Sequence, residues 1–250
     1  MSENGTADLV FLSGAVYTVD AARRWAQAVA VREGRIVAVG TDGEIRELVG
    51  AGTEVVDLAG AMLLPGFQDA HVHPVAGGVD MLQCDLHDLG TKDEYLAAIA
   101  GYASSHPDEG WILGGGWAQD AFPRGCPDRD DLDAIVPDRP VFLPNRDGHD
   151  AWVNSKALEL AGMTRDAPDP AHGRIARDPD RTPLGTVHEG AMLAVERLVP
   201  PPTADDMRAA ILEGQRYLHS LGITNWQDAW VTPVEQAAYL ALAGSGELTG

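Results

Sequence analysis

The sequence predicts an α/β protein in which a small all-β segment precedes a larger region of alternating strands and helices. Over the first 60 residues, Val, Ile and Ala fall in short runs that favour strands. From Met62 onward, apolar runs of strand length alternate with stretches that carry helix-capping signals. Strand–helix–strand repetition of this kind is typical of a parallel sheet with helices outside it.

In the first segment, the strands are expected at Asp8–Val19, Ala28–Val39 and Glu54–Leu58. Glu33-Gly34-Arg35 interrupts the second run and is expected to form a hairpin turn. We therefore expect residues 1–60 to form a β layer of their own, followed by a second domain over residues 61–250.

In the second domain, five strands are expected: Met62–Gln68, Leu82–Leu86, Trp111–Gly115, Val141–Pro144 and Ile223–Asp228. Helices are expected after Thr91 and Thr232, because each is followed three residues later by a glutamate, as in a capping box. A third helix is expected to begin at Thr203 and to end at Gly222.

Residues 146–202 fit this alternation poorly. They are rich in Asp, Pro, Gly and Arg, as in TRDAPDPAHGRIARDPDRTPLG, and indicate a long loop or an inserted subdomain. Such loops in α/β proteins usually lie over the active face.

Composition excludes several classes of function. The formal net charge of −20 argues against nucleic-acid binding, which relies on clustered Lys and Arg. No apolar stretch approaches the roughly 20 residues of a membrane span, and MSENGTADLV does not resemble a secretory signal. The two cysteines, Cys84 and Cys126, are too few for a disulfide framework. We expect a soluble cytoplasmic protein that binds neither nucleic acid nor membrane.

The stretch LLPGFQDAHVHP, residues 63–74, carries the strongest chemical signal. Asp69, His71 and His73 alternate at the end of an apolar strand, so their side chains share one face. Residues i and i+2 of a strand lie roughly 6.5–7 Å apart, and imidazoles that lean together can both reach one metal ion. The alternative is two histidines in a loop, since HxH is common by chance. The position at a strand's carboxyl end, where α/β barrels carry their chemistry, favours metal ligands.

These residues resemble the first-strand motif of the amidohydrolase superfamily, whose members are metal-dependent hydrolases built on a (β/α)8 barrel with a flanking β-sandwich. Four further segments in order sharpen the resemblance to amidohydrolase family 3, which includes N-substituted formamide deformylase-like enzymes. They are GGGWAQDAFP, GHDAWVNSKALELAG, PLGTVHEGAM and GITNWQDA. The resemblance implies the N-terminal portion of a TIM-type barrel, preceded by a β-sandwich segment.

The resemblance also implies a site. His71 and His73 would bind one or two divalent metal ions, with zinc favoured, and Glu189 would supply a carboxylate ligand and take part in catalysis. Glu189 could instead be a surface carboxylate beside a helix start. His149 is expected on the substrate side, although it could serve a helix end. Asp228 could hydrogen-bond a ligand or cap the following turn.

Other candidates are expected to be structural. Trp117 and Trp152 could line a pocket, but aromatic packing is the simpler interpretation. Lys156 lies in an apparent helix and is not expected to be a carboxylated ligand. Five histidines lack convincing partners in the sequence and are read as surface or core residues: His87, His106, His172, His188 and His219.

The implied function is hydrolysis of carbon–nitrogen bonds other than peptide bonds, in amides or N-substituted formamides, by metal-activated water. An esterase or lactonase is an alternative, because the same chemistry attacks those bonds. Only about five barrel strands can be counted before Gly250. We therefore expect a fragment of a longer enzyme, and a non-catalytic remnant or binding module is a further alternative. The partner is expected to be a small-molecule substrate, and a homo-oligomer is possible.

Overall fold

The computed structural model describes residues 5–22 and 24–250 and shows a mixed α/β protein. The chain divides into two compact units, one ending at Gln68 and the other running from Asp69 to Gly250. Within the described residues, no helix combines the length and the apolar character needed to cross a lipid bilayer.

The described residues of the first unit form two small sheets and one short helix. Its elements are β1 (Leu9–Leu12), β2 (Ala15–Tyr17), β3 (Trp25–Ala26), β4 (Ala28–Arg32), β5 (Arg35–Gly40), α1 (Asp42–Arg46), β6 (Glu54–Asp57) and β7 (Met62–Leu63). The sheet orders are β5-β4-β1-β6 and β3-β2-β7. Glu33 and Gly34 join β4 to β5 with positive φ angles, which confirms the predicted hairpin. The β-sandwich stays a prediction.

From Phe67 onward, strands and helices alternate along the chain. The strands are β8 (Phe67–Val72), β9 (Cys84–Asp85), β10 (Ile112–Gly115), β11 (Val141–Pro144), β12 (Asp150–Val153), β13 (Gly173–Arg177), β14 (Pro183–Glu189) and β15 (Ile223–Asp228). The helices are α2 (Pro74–Leu82), α3 (Lys92–Ser105), α4 (Arg129–Asp133), α5 (Ser155–Leu160), α6 (Gly190–Glu196), α7 (Ala204–Ser220) and α8 (Pro233–Ser245).

Six of these strands form one mixed sheet in the order β13-β14-β12-β11-β10-β9. The β9–β10–β11 portion is parallel, as predicted, whereas β12, β14 and β13 add to it antiparallel. Strands β8 and β15 form a separate two-stranded pair. The N-terminal portion of a (β/α)8 barrel therefore stays a prediction.

Both faces of the mixed sheet are covered, and this explains why every residue of β12 is buried. On one face, Trp152 and Leu143 pack with Ile99 of α3 and Leu132 of α4. The strand residues that alternate with them, Phe142, Ala151, Val153 and Val187, point to the other face, where they pack with residues of helices α5 and α6: Ala157, Leu158, Ala191 and Val195. The period-two alternation of the strands thus divides the core into two clusters.

Several local predictions are confirmed and others need correction. Thr91, Thr203 and Thr232 each cap a helix through a capping box. The predicted strand Met62–Gln68 is wrong, because Pro65-Gly66 separates β7 from β8. The predicted strand Leu82–Leu86 begins too early, because α2 extends through Leu82.

Residues 146–202, where a long loop or an inserted subdomain was expected, carry regular structure. Strands β12, β13 and β14 lie here with helices α5 and α6. All three strands belong to the mixed sheet. The segment therefore builds one end of the sheet that positions candidate site residues.

Candidate metal centre and carboxylate–imidazole pairs

His71 and His73 stand together where β8 gives way to α2. His71 lies within the strand, and His73 is the N-cap residue of α2. Their rings meet edge to face with centroids 5.4 Å apart. Pro74 occupies the first turn of α2, where its missing N–H costs no hydrogen bond. The strand end thus presents two neighbouring imidazoles.

Asp69 and Asp228 provide carboxylates near these rings. Asp69 accepts a hydrogen bond from the backbone N–H of His71 at 3.0 Å and so stabilises the strand end. Asp228 is the last residue of β15, and its Oδ1 atom lies 3.8 Å from His73 Nδ1. Its side chain is only 6% exposed. A buried carboxylate therefore faces the imidazole pair.

Asp228 is held in place by two further contacts. Tyr239 donates its hydroxyl to Oδ2 at 2.9 Å, and the Trp230 N–H donates to Oδ1 at 3.1 Å. Burial raises the pKa of Tyr239 above its ordinary value, and the hydrogen bond to Asp228 adds to the effect, so the phenol stays a donor. Both sequence interpretations of Asp228 are thus compatible with its position, because it faces His73 and also orders the following turn.

The donor set at this site suits a divalent metal. Both rings are exposed, and among the described residues neither ring forms a hydrogen bond that would occupy its nitrogens. Imidazole nitrogens with a nearby carboxylate are common zinc surroundings. Within residues 5–22 and 24–250, however, no three His, Cys, Asp or Glu side chains are grouped closely enough to hold an ion. The structure therefore does not bring Glu189 to the pair, and its role as a ligand stays a prediction.

Glu189 instead meets His149, the histidine that was expected on the substrate side. Glu189 ends β14, and its Oε1 atom lies 3.0 Å from His149 Nδ1. His149 follows a tight turn in which Gly148 has a φ of 75°, a backbone conformation that glycine adopts readily. The structure thus joins two residues that are forty positions apart in the sequence.

The backbone of Glu189 is strained. Its φ of 50° and ψ of −121° lie in a region that residues with a Cβ atom rarely adopt. Such strain costs of order 1–3 kcal/mol and persists only where the surroundings fix it, commonly at functional sites. The sharp change of direction from β14 into α6 presents the Glu189 carboxylate at the strand end.

Two clefts adjoin these residues. One of about 340 Å³ contains His73, Asp228, Trp230 and Glu235 in its lining. The other, of about 580 Å³, is lined by Glu189 together with apolar side chains that include Phe142, Met192 and Leu193. Both volumes fall in the range of small-molecule sites.

Most of the remaining candidates are structural, as expected. Trp117 and Trp152 are fully buried and pack edge to face against Phe122. Lys156 lies in α5 and approaches Glu159 on the surface.

The five histidines that lacked partners in the sequence have different surroundings in the structure. His106 stacks on Tyr102, His219 lies near Trp226, and His172 lines the larger cleft. Two of them have carboxylate partners that the sequence did not reveal: His87, which is exposed, contacts Asp85 at 2.7 Å, and His188 hydrogen-bonds Asp150. Only the cross-strand register of β12 and β14 reveals the partner of His188, and no motif marks it.

Comparison with known proteins decides the family. The model of a family described as "Amidohydrolase family" matches residues 54–249. The chain belongs to the amidohydrolase family. This confirms the resemblance drawn from the five sequence segments.

The chain is similar to several proteins over most of its length. It is 33% identical to an N-substituted formamide deformylase of Arthrobacter pascens, over 96% of the chain and 46% of that protein. It is 35% identical to Protein LONG AFTER FAR-RED 3 of Arabidopsis thaliana, over 87% of the chain and 37% of that protein. The chain thus spans less than half the length of these relatives.

One solved structure is likewise similar to most of this chain while being matched over less than half of its own length. It is an uncharacterized metal-dependent hydrolase from Pyrococcus furiosus, 27% identical to this chain, with a TM-score of 0.71. The alignment covers 96% of this chain and 48% of that structure. The names of this structure and of the deformylase are those of hydrolases.

Proposed function

We propose that the protein is a metal-dependent hydrolase of carbon–nitrogen bonds other than peptide bonds, acting on small-molecule amides or N-substituted formamides. The observation that carries the proposal is the pair His71 and His73 at the end of β8, facing the buried carboxylate of Asp228. Membership of the amidohydrolase family supports it. The deformylase name of one relative supports the substrate class.

In this proposal, His71 and His73 hold a divalent metal ion, with zinc favoured. A bound divalent metal lowers the pKa of a coordinated water towards about 7 and polarises a carbonyl group. Asp228 contributes a fixed negative charge beside His73, which stabilises a cation there and orients the ring. Tyr239 keeps that carboxylate in place by its hydrogen bond.

Glu189 and His149 would transfer a proton during the reaction. Their carboxylate and imidazole are 3.0 Å apart and both are exposed to the solvent, so the two can share a proton and pass it to a leaving nitrogen. The cleft lined by Glu189, Phe142, Met192 and Leu193 would hold an apolar substituent of the substrate. Coordination of a metal by Glu189 remains part of the proposal.

The direct test is a hydrolysis panel on the purified protein, stripped with a chelator and reloaded with zinc or manganese. We expect amine release from amides and N-substituted formamides that depends on the metal and is lost in His73→Ala. His219→Ala, which removes a histidine beside Trp226, is the matched control and should retain activity. Turnover confined to esters or lactones, or turnover that does not depend on the metal, would contradict the proposal.

A further inference from the structure

Two carboxylate–imidazole pairs lie back to back where β12 begins and β14 ends. Asp150 and His188 are directly opposite each other in the register of these strands, so their side chains share one face of the sheet. His149 and Glu189 are the next residues along, and their side chains meet on the other face. A relative shift of the two strands therefore displaces both pairs at once.

The pair on the covered face is firmly held. Asp150 is only 4% exposed, and its carboxylate accepts hydrogen bonds from His188 Nδ1 and Gln119 Nε2. Hydrogen bonds to an ionised acceptor are stronger than neutral ones, and a low-dielectric surrounding strengthens them further. Asp150 thus joins β12 to β14 at a point where water cannot compete.

Arg174 of β13 fixes the orientation of the His188 ring. It lies directly opposite His188, and its Nη2 atom is 2.8 Å from His188 Nε2. A guanidinium group can only donate, so Nε2 accepts and the ring proton lies on Nδ1, towards Asp150. The row Asp150–His188–Arg174 therefore ties three neighbouring strands with one defined tautomer.

The pair on the other face has little support of its own. The side chains of His149 and Glu189 are 69% and 58% exposed. Among the described residues, neither side chain forms another hydrogen bond. Their positions come from the backbone, because the Glu189 N–H donates to the His149 carbonyl at 2.9 Å. The N–H groups of His149 and Asp150 both donate to Asn145 Oδ1 at 3.1 Å.

We propose that Asp150, acting through His188, is a positioning residue that holds Glu189 opposite His149. The inference rests on the proposed function only in assigning the Glu189–His149 pair to the active site. A buried partner behind two exposed groups replaces the packing they lack, as outer-shell residues do in metal enzymes. The strained backbone of Glu189 also calls for such support, because strain of this kind persists only where the surroundings fix it.

The test uses the ring resonances of His149 in histidine-labelled protein. In the unmodified chain, Glu189→Gln should shift the His149 signals, because the two groups are in contact. When Asp150 is replaced by Asn, Glu189→Gln should shift the His149 signals by less than roughly half as much as it does in the unmodified chain. The reason is that the positions of Asp150 and Glu189 are coupled. His188→Ala should act like Asp150→Asn. His188→Asn, unlike His188→Ala, should keep the Glu189-dependent shift of the His149 signals. Its side-chain amide N–H can replace the Nδ1–H donor of His188.

Thr186→Val is the matched control. It removes a buried hydrogen bond to the Pro127 carbonyl from the same face of β14 but leaves Asp150 and His188 intact. It should leave the Glu189-dependent shift unchanged even if the protein becomes less stable. The proposal is overturned if Asp150→Asn preserves the full shift, or if Thr186→Val reduces it equally. Zinc titration of His71 and His73 in the same spectra reports on the proposed function separately.

Discussion

His73 Nδ1 lies 3.8 Å from Asp228 Oδ1, and the two residues stand where the paired strands β8 and β15 end side by side. The Ala229 N–H donates to the Val72 carbonyl at 3.0 Å, which holds the two strand ends in register. An imidazole from one strand and a buried carboxylate from the other therefore form one site.

Asp228→Asn should weaken metal binding. The amide keeps the shape of the side chain but removes the charge that favours a cation beside His73, so we expect affinity to fall about 10–100-fold. Competition with a chromogenic chelator measures this. Tyr239→Phe, which removes only the hydroxyl donor to Oδ2, should have a smaller effect. Unchanged metal affinity in Asp228→Asn would show that Asp228 does not contribute to metal binding.

Trp152→Ala should strongly destabilise the second unit. Trp152 is fully buried, and its indole N–H donates to the Asp128 carbonyl at 2.8 Å. Loss of this side chain should lower the free energy of unfolding by about 3–5 kcal/mol. Trp230, which is 74% exposed, provides the control, and its replacement by Ala should change stability by less than about 0.5 kcal/mol. Urea unfolding measures the free energy of unfolding of the two variants. Equal losses of stability in Trp152→Ala and Trp230→Ala would disprove the assignment of Trp152 to the core.

Glu94 should make stability depend on pH below neutrality. Hydrogen bonds from the Thr91 hydroxyl and from the Gly90 and Thr91 N–H groups hold the pKa of Glu94 below its ordinary value. Because the folded-state pKa is the lower one, the stabilisation is present above the unfolded-state pKa of about 4.3 and is lost as pH falls through the folded-state pKa.

The test follows thermal unfolding from pH 7 down to pH 3. Glu94→Gln keeps a capping side chain but cannot ionise, so its melting temperature should fall less steeply with acid than that of the unmodified protein. Asp93→Asn removes a carboxylate from the same helix turn outside the capping box and is the control. Parallel curves for Glu94→Gln and the unmodified protein would contradict the prediction.

Cys84 should resist alkylation in the folded protein. Burial raises the pKa of its thiol to about 12, and the neighbouring Asp85 charge adds to the effect. At pH 8 the thiolate would be roughly one part in ten thousand, and the group is also inaccessible to reagent. Mass spectrometry after iodoacetamide treatment should find Cys126 modified and Cys84 intact, with both modified in urea. Equal labelling of both in the native state would show that β9 is not packed as described.

The sequence predicted the features that are encoded locally. The helices after Thr91 and Thr232 were predicted because a capping box lies within four residues, and the helix from Thr203 was predicted from the helical spacing of its apolar residues and its end at Gly222. The same signal, Thr41 followed by Glu44, marks α1, which the sequence analysis did not predict. His71 and His73 were placed together because their spacing alone puts them on one side of a strand.

Features that depend on long-range pairing were not predictable in this way. Strands β12, β13 and β14 lie among Asp, Pro and Gly residues, so their strand character comes from pairing rather than from local pattern. His149 and Glu189 were each singled out, but their contact arises only from strand register. The Asp150–His188 hydrogen bond spans 38 positions and has no counterpart in any motif.

The central claim is that His71 and His73 bind one divalent metal ion, and metal content tests it most directly. Elemental analysis of protein dialysed against zinc should find bound metal in the unmodified protein and in His219→Ala, and none in His71→Ala or His73→Ala. Full metal content in either strand-end variant, or a metal-free unmodified protein, would contradict the account.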